Sequence, residues 1–383
     1  MTTRVAWVAD CHLGNHKVMG GPVEVGMNRR CREGLDVFRR AVALADEMGC
    51  AAGVVLGDLF DYWRPEPQLV RAVQEILRKA RVRWFLLCGN HEQVSGQRGD
   101  HALAPLRGVA RVVDRPTRIS VKESEVLLVP FVPGRPAREW VAEALRSFGP
   151  ASRPRAVGVH AGVSDAQTPP WLAESLDQVP AQLLADEARR CGASAAFAGN
   201  WHSHRSWQLR ANDPPPLRSR SSVGVVQVGA LVPTGWDNPG LDGYGGLVVW
   251  DGCVGASEFH ELDGPRFLSV RGLVEARKFL ALYGEDERAW WRVRATACAS
   301  ERAAVEDLLR GAGLRGWEVL ADPAEVRAEA RTAAMAARGA DTFDAAVEGF
   351  VRGMPLPAGL TDADRPEVAA LVRQYVAQGA ARG

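Results

Sequence analysis

Short apolar runs alternate with amphipathic helical segments over the first 90 residues, and this alternation limits the fold more than any other feature of the chain. The runs at 5–9, 54–56 and 84–88 have the length of buried strands. The segments at 29–48 and 66–80 place apolar residues at helical spacing. Strands separated by a helix need a long crossover connection, which favours parallel pairing. The sequence therefore predicts an α/β fold.

A group of potential metal ligands follows each of five predicted strands. Loops at the carboxyl ends of strands are held by a rigid sheet and remain open to solvent, so functional side chains collect there. Donors of this kind and number fit two divalent cations about 3.5–4 Å apart that share one carboxylate. Neutral imidazoles favour Mn, Fe or Zn over Mg or Ca. The groups are Asp10-x-His12, Gly57-Asp58-x-x-Asp61, Gly89-Asn90-His91-Glu92, His160 and His202-Ser203-His204.

The spacing of the first group indicates where its side chains point. Because side chains alternate along an extended chain, Asp10 and His12 are expected to face the same ion. Cys11 between them is then predicted to be a small core residue. A lone histidine at a strand end is more often an ordinary polar residue, but five of the eight histidines fall in these groups. The other three, His16, His101 and His260, are expected on the surface or in loops.

The remaining groups separate ligands from residues that would act on the substrate. Asp58 directly follows a strand and is the candidate for the shared carboxylate, and Asn90 can add an oxygen ligand without adding charge. His91 follows a ligand but would face elsewhere, so it is the candidate to protonate the leaving oxygen. A hydroxide between the two cations is the candidate nucleophile. The predicted ligands are Asp10, His12, Asp58, Asn90, His160, His202 and His204, with Asp61 orienting a ligand or contacting the substrate.

The 383 residues are predicted to form a catalytic domain over 1–264 and a C-terminal segment over 265–383. Strands without intervening helices between about 206 and 262 predict a second, more antiparallel sheet packed on the first. The expected fold is therefore two packed mixed β-sheets flanked by helices. The C-terminal segment is expected to form a small α/β cap followed by terminal helices, with a DNA- or partner-binding role. Its predicted helices are 301–310, 323–337 and 365–377.

Net charge and cysteine content limit the binding partners and the cellular compartment that the sequence predicts. The net charge of +1 gives no bulk attraction to nucleic acid. Seven scattered cysteines without a Cys-x-x-Cys pair argue against a disulfide framework or a structural zinc site, and they suit a reducing cytoplasm. No signal peptide pattern and no apolar stretch of about 20 residues is found. We therefore expect a cytoplasmic protein without a membrane partner.

The five groups resemble the motifs of the calcineurin-like metallophosphoesterase superfamily: D-x-H, G-D-x-x-D, G-N-H-[DE], H and H-x-H. The resemblance covers about residues 3–264. It implies a two-metal phosphoesterase, with Mn as the expected metal and Fe, Zn or Mg as alternatives. It also implies His91 as the catalytic histidine. One metal would take Asp10, His12, Asp58 and His204, and the other would take Asp58, Asn90, His160 and His202.

Within that superfamily the chain is similar to the SbcD type of DNA repair exonuclease. The similar features are D-x-H-L-G at 10–14, the helix after it, the prolines after Asp61 and the appended C-terminal segment. This resemblance implies DNA as substrate, a possible homodimer and an SbcC-type coiled-coil ATPase. No G-x-x-x-x-G-K-[ST] loop occurs, so an ATPase would be a separate chain. Two motifs depart from the pattern. In the last motif, Trp201 and not glycine precedes His202. In the third motif, Glu92 stands where nucleases usually have Asp.

Three functions follow from these patterns. The first is a Mn-dependent DNA exonuclease and endonuclease subunit, which would carry an Arg-lined groove. The alternative is a small-molecule phosphoesterase that acts on a nucleotide or a lipid-linked diphosphate. The segment 57–63 resembles UDP-diacylglucosamine hydrolases, but these have His-Gly-Asp where this chain has His160-Ala161-Gly162. The third, a metal-free scaffold, conflicts with an intact set of buried donors, which would be costly without partners.

Overall fold

Strands and helices alternate through most of the chain. A computed structural model describes residues 3–17, 19–95, 97, 99–149, 151, 153–210, 222–236, 245–284, 286, 288–295, 299–314, 316–321, 343–354, 356 and 361–380. The strands are β1 (Arg4–Val8), β2 (Val23–Glu24), β3 (Met27–Asn28), β4 (Ala52–Val55), β5 (Trp84–Leu87), β6 (Arg111–Val113), β7 (Thr117–Val121), β8 (Ser124–Val129), β9 (Arg155–Val159), β10 (Gly162–Ser164), β11 (Gln178–Pro180), β12 (Ala195–Ala198), β13 (Arg205–Leu209), β14 (Val223–Gln227), β15 (Gly246–Asp251), β16 (Ala256–Glu261), β17 (Arg266–Arg271), β18 (Ala289–Ala295) and β19 (Trp317–Ala321). The helices are α1 (Arg29–Glu47), α2 (Pro67–Lys79), α3 (Ala137–Ser147), α4 (Pro170–Ala173), α5 (Ala181–Arg190), α6 (Gly272–Tyr283), α7 (Ala299–Gly311), α8 (Phe343–Gly353) and α9 (Arg365–Ala380).

Two six-stranded mixed sheets form the main architecture, as the sequence predicts. The first has the order β16-β15-β1-β4-β5-β6, and the second has the order β13-β14-β12-β9-β8-β7. Parallel pairing joins β1, β4, β5 and β6 in the first sheet and β8, β9, β12 and β14 in the second. Antiparallel strands complete the first sheet at one edge, with β15 and β16, and the second sheet at both edges, with β13 and β7. The carboxyl ends of the parallel strands within each sheet therefore point in one direction.

The expectation that all strands between 206 and 262 build the second sheet is wrong. β15 pairs antiparallel with β1, with Ala6 opposite Val249, and β16 continues the first sheet. The reason lies in the side chains of β15, which are apolar on both faces. Leu247 and Val249 join the helix side of the first sheet, and Trp250 joins the layer between the sheets. Such a strand needs cover on both faces, which its place beside β1 provides.

A layer of large side chains packs between the two sheets. Trp7 on β1 stacks on Phe197 of β12 with ring centroids 4.4 Å apart, and neither side chain is exposed. Gly158 on β9 makes room for this pair, since a Cβ there would lie 2.6 Å from the Trp7 ring. Ala6 and Val8 of the same strand face the opposite side, toward the helices. This alternation explains why β1 reads as a continuous apolar run.

The outer faces of the sheets are covered by helices. Phe38 of α1 packs with the first sheet, and Trp140 of α3 packs with the second. The predicted helices 29–48 and 66–80 correspond to α1 and α2. The Asn28 side chain accepts a hydrogen bond from the Cys31 amide and caps α1, and Pro67 occupies the first turn of α2. The predicted two-sheet fold flanked by helices is confirmed.

The chain divides into two compact units. The first holds Met1–Ser269, Gly284–Trp291 and Leu314–Trp317, and the second holds Val270–Tyr283, Arg292–Gly313 and Glu318–Gly383. The C-terminal elements include a three-stranded sheet in the order β17-β18-β19 and the helices α6 to α9. The predicted helices 301–310 and 365–377 match α7 and α9. The predicted helix 323–337 lies outside the described residues, and the predicted boundary at 264 stays a prediction. No helix in the described ranges is long and apolar enough for a membrane span.

The stacked pair between the sheets should contribute strongly to the stability of the first unit. We expect Phe197→Ala to lower the free energy of unfolding by about 3–5 kcal/mol, because it removes a buried ring and leaves a cavity beside Trp7. Val254→Ala is the control, since Val254 is 76% exposed, and it should change the value by less than about 0.5 kcal/mol. Urea unfolding followed by circular dichroism measures both. Similar losses in the two variants would contradict this account.

Candidate metal centre

The predicted site residues meet at the carboxyl ends of strands from both sheets. Asp10 lies just after β1, Asp58 follows β4, and Asn90 follows β5 in the first sheet. His160 directly follows β9, and His202 lies beyond β12, in the second sheet. Because parallel strands end at the same edge of a sheet, these five residues are brought to one place although they are far apart in sequence. Asp10, Asp58 and His160 have at most 1% of their surface exposed.

A left-handed backbone conformation is found at three of the predicted ligands. The φ angles are 49° at Asp10, 43° at His12 and 50° at Asp58. Residues other than glycine rarely adopt such angles, and each instance costs on the order of 1–3 kcal/mol. The premise that Asp10 and His12 converge through an extended backbone is therefore wrong. They converge because the loops bond to each other: the His12 amide donates to the Asp58 carbonyl (2.9 Å), and the Asp10 amide donates to the Gly57 carbonyl (3.2 Å). Cys11 is buried in the core, as predicted.

Asp10, His12 and His202 form the first group of potential ligands. One donor atom from each lies within 4.8 Å of the other two. The Nε2 atoms of His12 and His202 are 3.1 Å apart. Two imidazole nitrogens facing each other at this distance need a shared proton or a shared cation. The opposite nitrogens are also occupied: His12 Nδ1 donates to Asp61 Oδ1 (3.1 Å), and His202 Nδ1 lies 3.0 Å from Thr234 Oγ1.

Asp10, Asp58 and His160 form a second group under the same 4.8 Å limit. His160 Nε2 lies 3.4 Å from Asp58 Oδ2 and 2.7 Å from the Asn90 side-chain oxygen. His160 Nδ1 donates to the Leu56 carbonyl, which holds the ring in this orientation. Gly57 is required beside it, because a Cβ at this position would lie 2.2 Å from His160 Nδ1. The structure thus places Asn90 beside His160, which in turn lies beside Asp58. That these three residues share one ion stays a prediction.

His91 lies at the exposed edge of the centre, where it forms a third group of potential ligands with His12 and Asp58. Its backbone amide donates to Asp58 Oδ1 (3.0 Å), and its Nδ1 donates to the Asp61 carbonyl (2.8 Å). A carbonyl can only accept, so Nδ1 carries a hydrogen, and Nε2 is the atom that exchanges a proton. The side chain is 39% exposed, whereas the His12 side chain is 5% exposed. His91 therefore combines a fixed orientation with access from solvent.

His204 has a different environment from the other predicted ligands. Its Nδ1 donates to the Val228 carbonyl (3.2 Å), and its ring packs against Phe259 with centroids 4.3 Å apart. The three-residue ligand groups found in the described residues do not include it. The structure also groups His202 with His12, whereas the resemblance assigns His202 to the other ion. How His202 and His204 are divided between two ions stays a prediction.

The hydrogen bonds of the histidines fit metal binding. His12, His160 and His204 each donate from Nδ1 to a carboxylate or a backbone carbonyl. Such bonds fix the tautomer that leaves Nε2 as the ligand atom, which is the usual arrangement around protein-bound metals. Carboxylate, amide and imidazole donors together suit Mn, Fe or Zn. The residues present therefore form a candidate centre for two divalent cations.

The charges of the centre depend strongly on one another. Burial acts to raise the pKa of Asp58, but the nearby His160 and His12 outweigh it and hold this pKa below its usual range. Burial raises the pKa of Asp10 to about 7, and His160 only partly opposes this. Burial acts to lower the pKa of His160, whereas Asp58 and Asp10 raise it to about 10. A buried proton on His160 thus balances part of the negative charge before a metal binds.

Three residues outside the predicted set also shape the centre. The Asn200 amide donates to both Asp10 oxygens (2.9 Å each), and Thr234 contacts His202. His16 lies in a loop, which was one of its two expected places, but its side chain is only 18% exposed and its Nδ1 lies 3.4 Å from Asp61 Oδ2. Asn200 could have been noticed in the sequence, because asparagine tolerates left-handed angles and this one stands in the motif that departs from the family pattern. Its φ angle is 77°.

Metal affinity should depend on pH because ligands must lose protons. His160 has a pKa of about 10 before metal binds, so it is protonated at neutral pH and must release this proton to become a ligand. We expect Mn²⁺ affinity to rise about tenfold for each pH unit from pH 6 to pH 8, with proton release. Asp10, whose pKa is raised by burial to about 7, must also release its proton, and this adds to the slope below pH 7. Calorimetry in buffers of different ionisation enthalpy measures both quantities. A constant affinity without proton release would contradict this expectation.

The left-handed conformation of Asn200 can be tested with a pair of variants. Both Asn200→Gly and Asn200→Ala remove the bond from Asn200 Nδ2 to Asp177 Oδ2 (2.8 Å), but only glycine adopts the φ angle of 77° without strain. We expect Mn²⁺ affinity to stay within about twofold in the glycine variant. In the alanine variant it should fall about tenfold, because the amide turns away from Asp10. Equal affinities, measured by paramagnetic resonance of free Mn²⁺, would show that this conformation does not hold Asp10.

Comparison with solved structures finds matches at low identity and with TM-scores below 0.5. An archaeal phosphodiesterase is 10% identical, over 68% of this chain and 100% of that chain, with a TM-score of 0.34. A putative 5′-nucleotidase from Staphylococcus aureus is 13% identical, over 68% of this chain and 53% of that chain, with a TM-score of 0.40. A dimetal phosphatase from Danio rerio is 11% identical, over 60% of this chain and 87% of that chain, with a TM-score of 0.35. The family assignment does not depend on these similarities.

A family model provides the assignment. The model for calcineurin-like phosphoesterases matches residues 3–203, a segment that includes the first four ligand groups and His202. Curated proteins yield no match. Because the match spans more than half of the 383 residues, this chain belongs to the calcineurin-like phosphoesterase family, whose members hydrolyse phosphoesters with two divalent metal ions.

Proposed function

We propose that this chain is a Mn-dependent phosphodiester hydrolase that cuts DNA as an exonuclease and endonuclease subunit of the SbcD type. The observation that carries the hydrolytic part is the position of His91. Its side chain lies at the exposed edge of buried donors, its Nδ1 donates to the Asp61 carbonyl, and its backbone amide donates to Asp58 Oδ1. A histidine that is both oriented and accessible suits proton transfer to a leaving oxygen at the mouth of a metal centre.

The residues of the site have separable roles in this proposal. When bound, two cations supply positive charge for the phosphate and an activated water. Asp58 would be shared between the cations, and Asn90 adds a donor without further charge. His91 donates a proton from Nε2 to the leaving oxygen, while the Asp61 carbonyl keeps Nδ1 protonated. The Asp61 carboxylate accepts from His12 and so orients that ligand.

The choice of DNA as substrate is supported by features next to the centre. Arg205 directly follows His204 and is exposed, and the guanidinium of the exposed Arg64 stacks over the Trp63 ring at 3.9 Å. Arginines in such positions can bind backbone phosphates. The resemblance over 10–14 and 57–61 adds to this support, as does the C-terminal segment proposed for DNA or partner binding. A separate SbcC-type ATPase, homodimer formation and a cytoplasmic location belong to the same proposal.

A second candidate is a phosphoesterase that acts on a nucleotide or a lipid-linked diphosphate. The observation that favours it is a pair of exposed aromatic side chains next to Asp61. Tyr62 is 45% exposed and Trp63 is 41% exposed. An aromatic pair beside a phosphate site can hold the flat or apolar part of a small substrate. The experiment below distinguishes the two candidates.

His91 and Asp58 should differ in what their loss removes. We expect His91→Asn to lower kcat by about 10²–10⁴-fold with Mn²⁺ affinity nearly unchanged. Asp58→Asn should remove both Mn²⁺ binding and activity. His260→Asn serves as the control, because His260 lies on β16 and not among the ligand groups. Turnover of bis(p-nitrophenyl) phosphate and Mn²⁺ paramagnetic resonance are the measurements. Full activity in His91→Asn would contradict its role.

The same preparations identify the substrate. End-labelled linear duplex DNA, single-stranded DNA, a nucleotide and a lipid-linked diphosphate are compared, with Asp58→Asn as the blank. Cleavage of DNA that is lost in Asp58→Asn supports the nuclease. Cleavage of the small substrates alone, also after an SbcC-type ATPase is added, would exclude the nuclease and support the second candidate.

A further inference from the structure

We infer that Glu92 is a positioning residue that holds the shared carboxylate Asp58 in its metal-binding orientation. The inference concerns the metal centre of the family and holds for either substrate class. Glu92 stands at the end of the group Gly89-Asn90-His91-Glu92, and its side chain is completely buried. A buried carboxylate needs partners that satisfy its oxygens. Its partners here are backbone amides of the loops that carry the metal ligands.

Both oxygens of Glu92 accept hydrogen bonds from these loops. Oε2 accepts from the Asp58 amide (3.0 Å) and from the Gly89 amide (2.8 Å), and Oε1 accepts from the Phe60 amide (3.0 Å). One carboxylate thus binds the amide of Asp58 itself, a second amide two residues later and an amide of the neighbouring loop. Glu92 therefore acts as a clamp between two loops.

The clamp begins where the hydrogen bonds between β4 and β5 end. The pairing of β4 with β5 ends at Val55 opposite Leu86, and the ligand loops follow. The loops approach each other so closely that a Cβ on Gly89 would lie 2.2 Å from Asp58 Oδ1. Strand pairing cannot hold this geometry, because Asp58 has a left-handed backbone. The three bonds to Glu92 take the place of sheet pairing and stabilise a conformation that is otherwise unfavourable.

The consequence reaches both the metal and the proton donor. The Asp58 amide is held by Glu92, and Asp58 Oδ1 accepts from the His91 amide. A shift of the Asp58 backbone therefore moves a carboxylate of the metal centre and changes the support of His91. Glu92 itself is not in the ligand groups of the described residues, and its oxygens already face amides. It acts through Asp58 and not as a ligand.

Glutamine is the informative substitution at this position. It keeps the size of the side chain but replaces one oxygen by an NH₂ group, which then faces a backbone N–H as donor against donor. We expect Glu92→Gln to weaken Mn²⁺ binding by about 10- to 100-fold, the effect usual for residues that orient metal ligands. Glu92→Asp keeps the charge but is one methylene shorter, so it should give an intermediate loss.

The matched control is Glu187→Gln. Glu187 on α5 is also buried, with 2% of its side chain exposed, and it is paired with Arg146 and Arg190. It tests the loss of a buried carboxylate at a place with no ligand group. We expect its effect on thermal stability to resemble that of Glu92→Gln, while its Mn²⁺ affinity stays within about twofold of wild type. Mn²⁺ paramagnetic resonance and calorimetric melting of the metal-free proteins provide the two readouts.

Two results would overturn the inference. One is a folded Glu92→Gln variant that binds Mn²⁺ as tightly as wild type. The other is an equal loss of affinity in Glu187→Gln, which would indicate a general effect of stability. If the Glu92 variants do not fold, hydrogen exchange of the metal-free wild type decides. The amides of Asp58, Phe60 and Gly89 should exchange as slowly as those of β4, and rapid exchange would contradict the clamp.

Discussion

Two carboxylates buried at one point, those of Asp10 and Asp58, are the constraint on which the rest of the site depends. Both residues are almost completely removed from solvent, and their oxygens belong to one ligand group with His160. Negative charges cannot be buried together unless protons, hydrogen bonds or cations compensate them. The Asn200 amide, the proton on His160 and the raised pKa of Asp10 provide this compensation within the protein. Divalent cations would replace those protons, so binding of metal ions to the centre is expected to release protons.

The fold provides the rigidity that this arrangement needs. Asp10 and Asp58 come from the first sheet and His160 comes from the second, so the centre requires both sheets to be packed in register. The stack of Trp7 on Phe197 lies in the apolar layer between the sheets. Rigid strands deliver the loops to the right place, and local bonds such as those of Asn200 and Glu92 then set individual side chains. Packing of the sheets therefore determines where the site lies, and hydrogen bonds determine how its individual side chains are oriented.

Much of this could be predicted from the sequence, because strand ends are marked by the change from apolar to polar residues. The positions of Asp58, Asn90 and His160 follow from that rule, as does the two-sheet fold. Contacts that depend on loop conformation could not be predicted. The left-handed angles at Asp10 and His12 replace the extended geometry on which their convergence was argued. The pairing of β15 with β1 could not be predicted either, because an apolar pattern identifies a buried strand but not the sheet to which it belongs.

The contact of His16 with Asp61 illustrates the same limit, because it arises from a loop that folds back on the centre. Glu92 offers a further example. Its presence in the motif was visible in the sequence. The three amides that it binds lie in two loops, and the spacing of residues does not predict how closely these loops approach each other. Residues that support a site through the backbone leave little trace in a pattern of side chains.

The pairing of β1 with β15 has a consequence for the order in which the protein can be assembled. Ala6 lies opposite Val249, so β1, the strand that precedes Asp10, pairs on one side with a strand about 240 residues later in the chain. Contacts of such long sequence separation form slowly, and a chain emerging from the ribosome at about 5–20 residues per second must leave this side of β1 unpaired for many seconds. During synthesis, β4 is the first neighbour that can protect the strand. Because β15 ends at Asp251, this side of the strand that carries Asp10 is completed only after residue 251 has been synthesised.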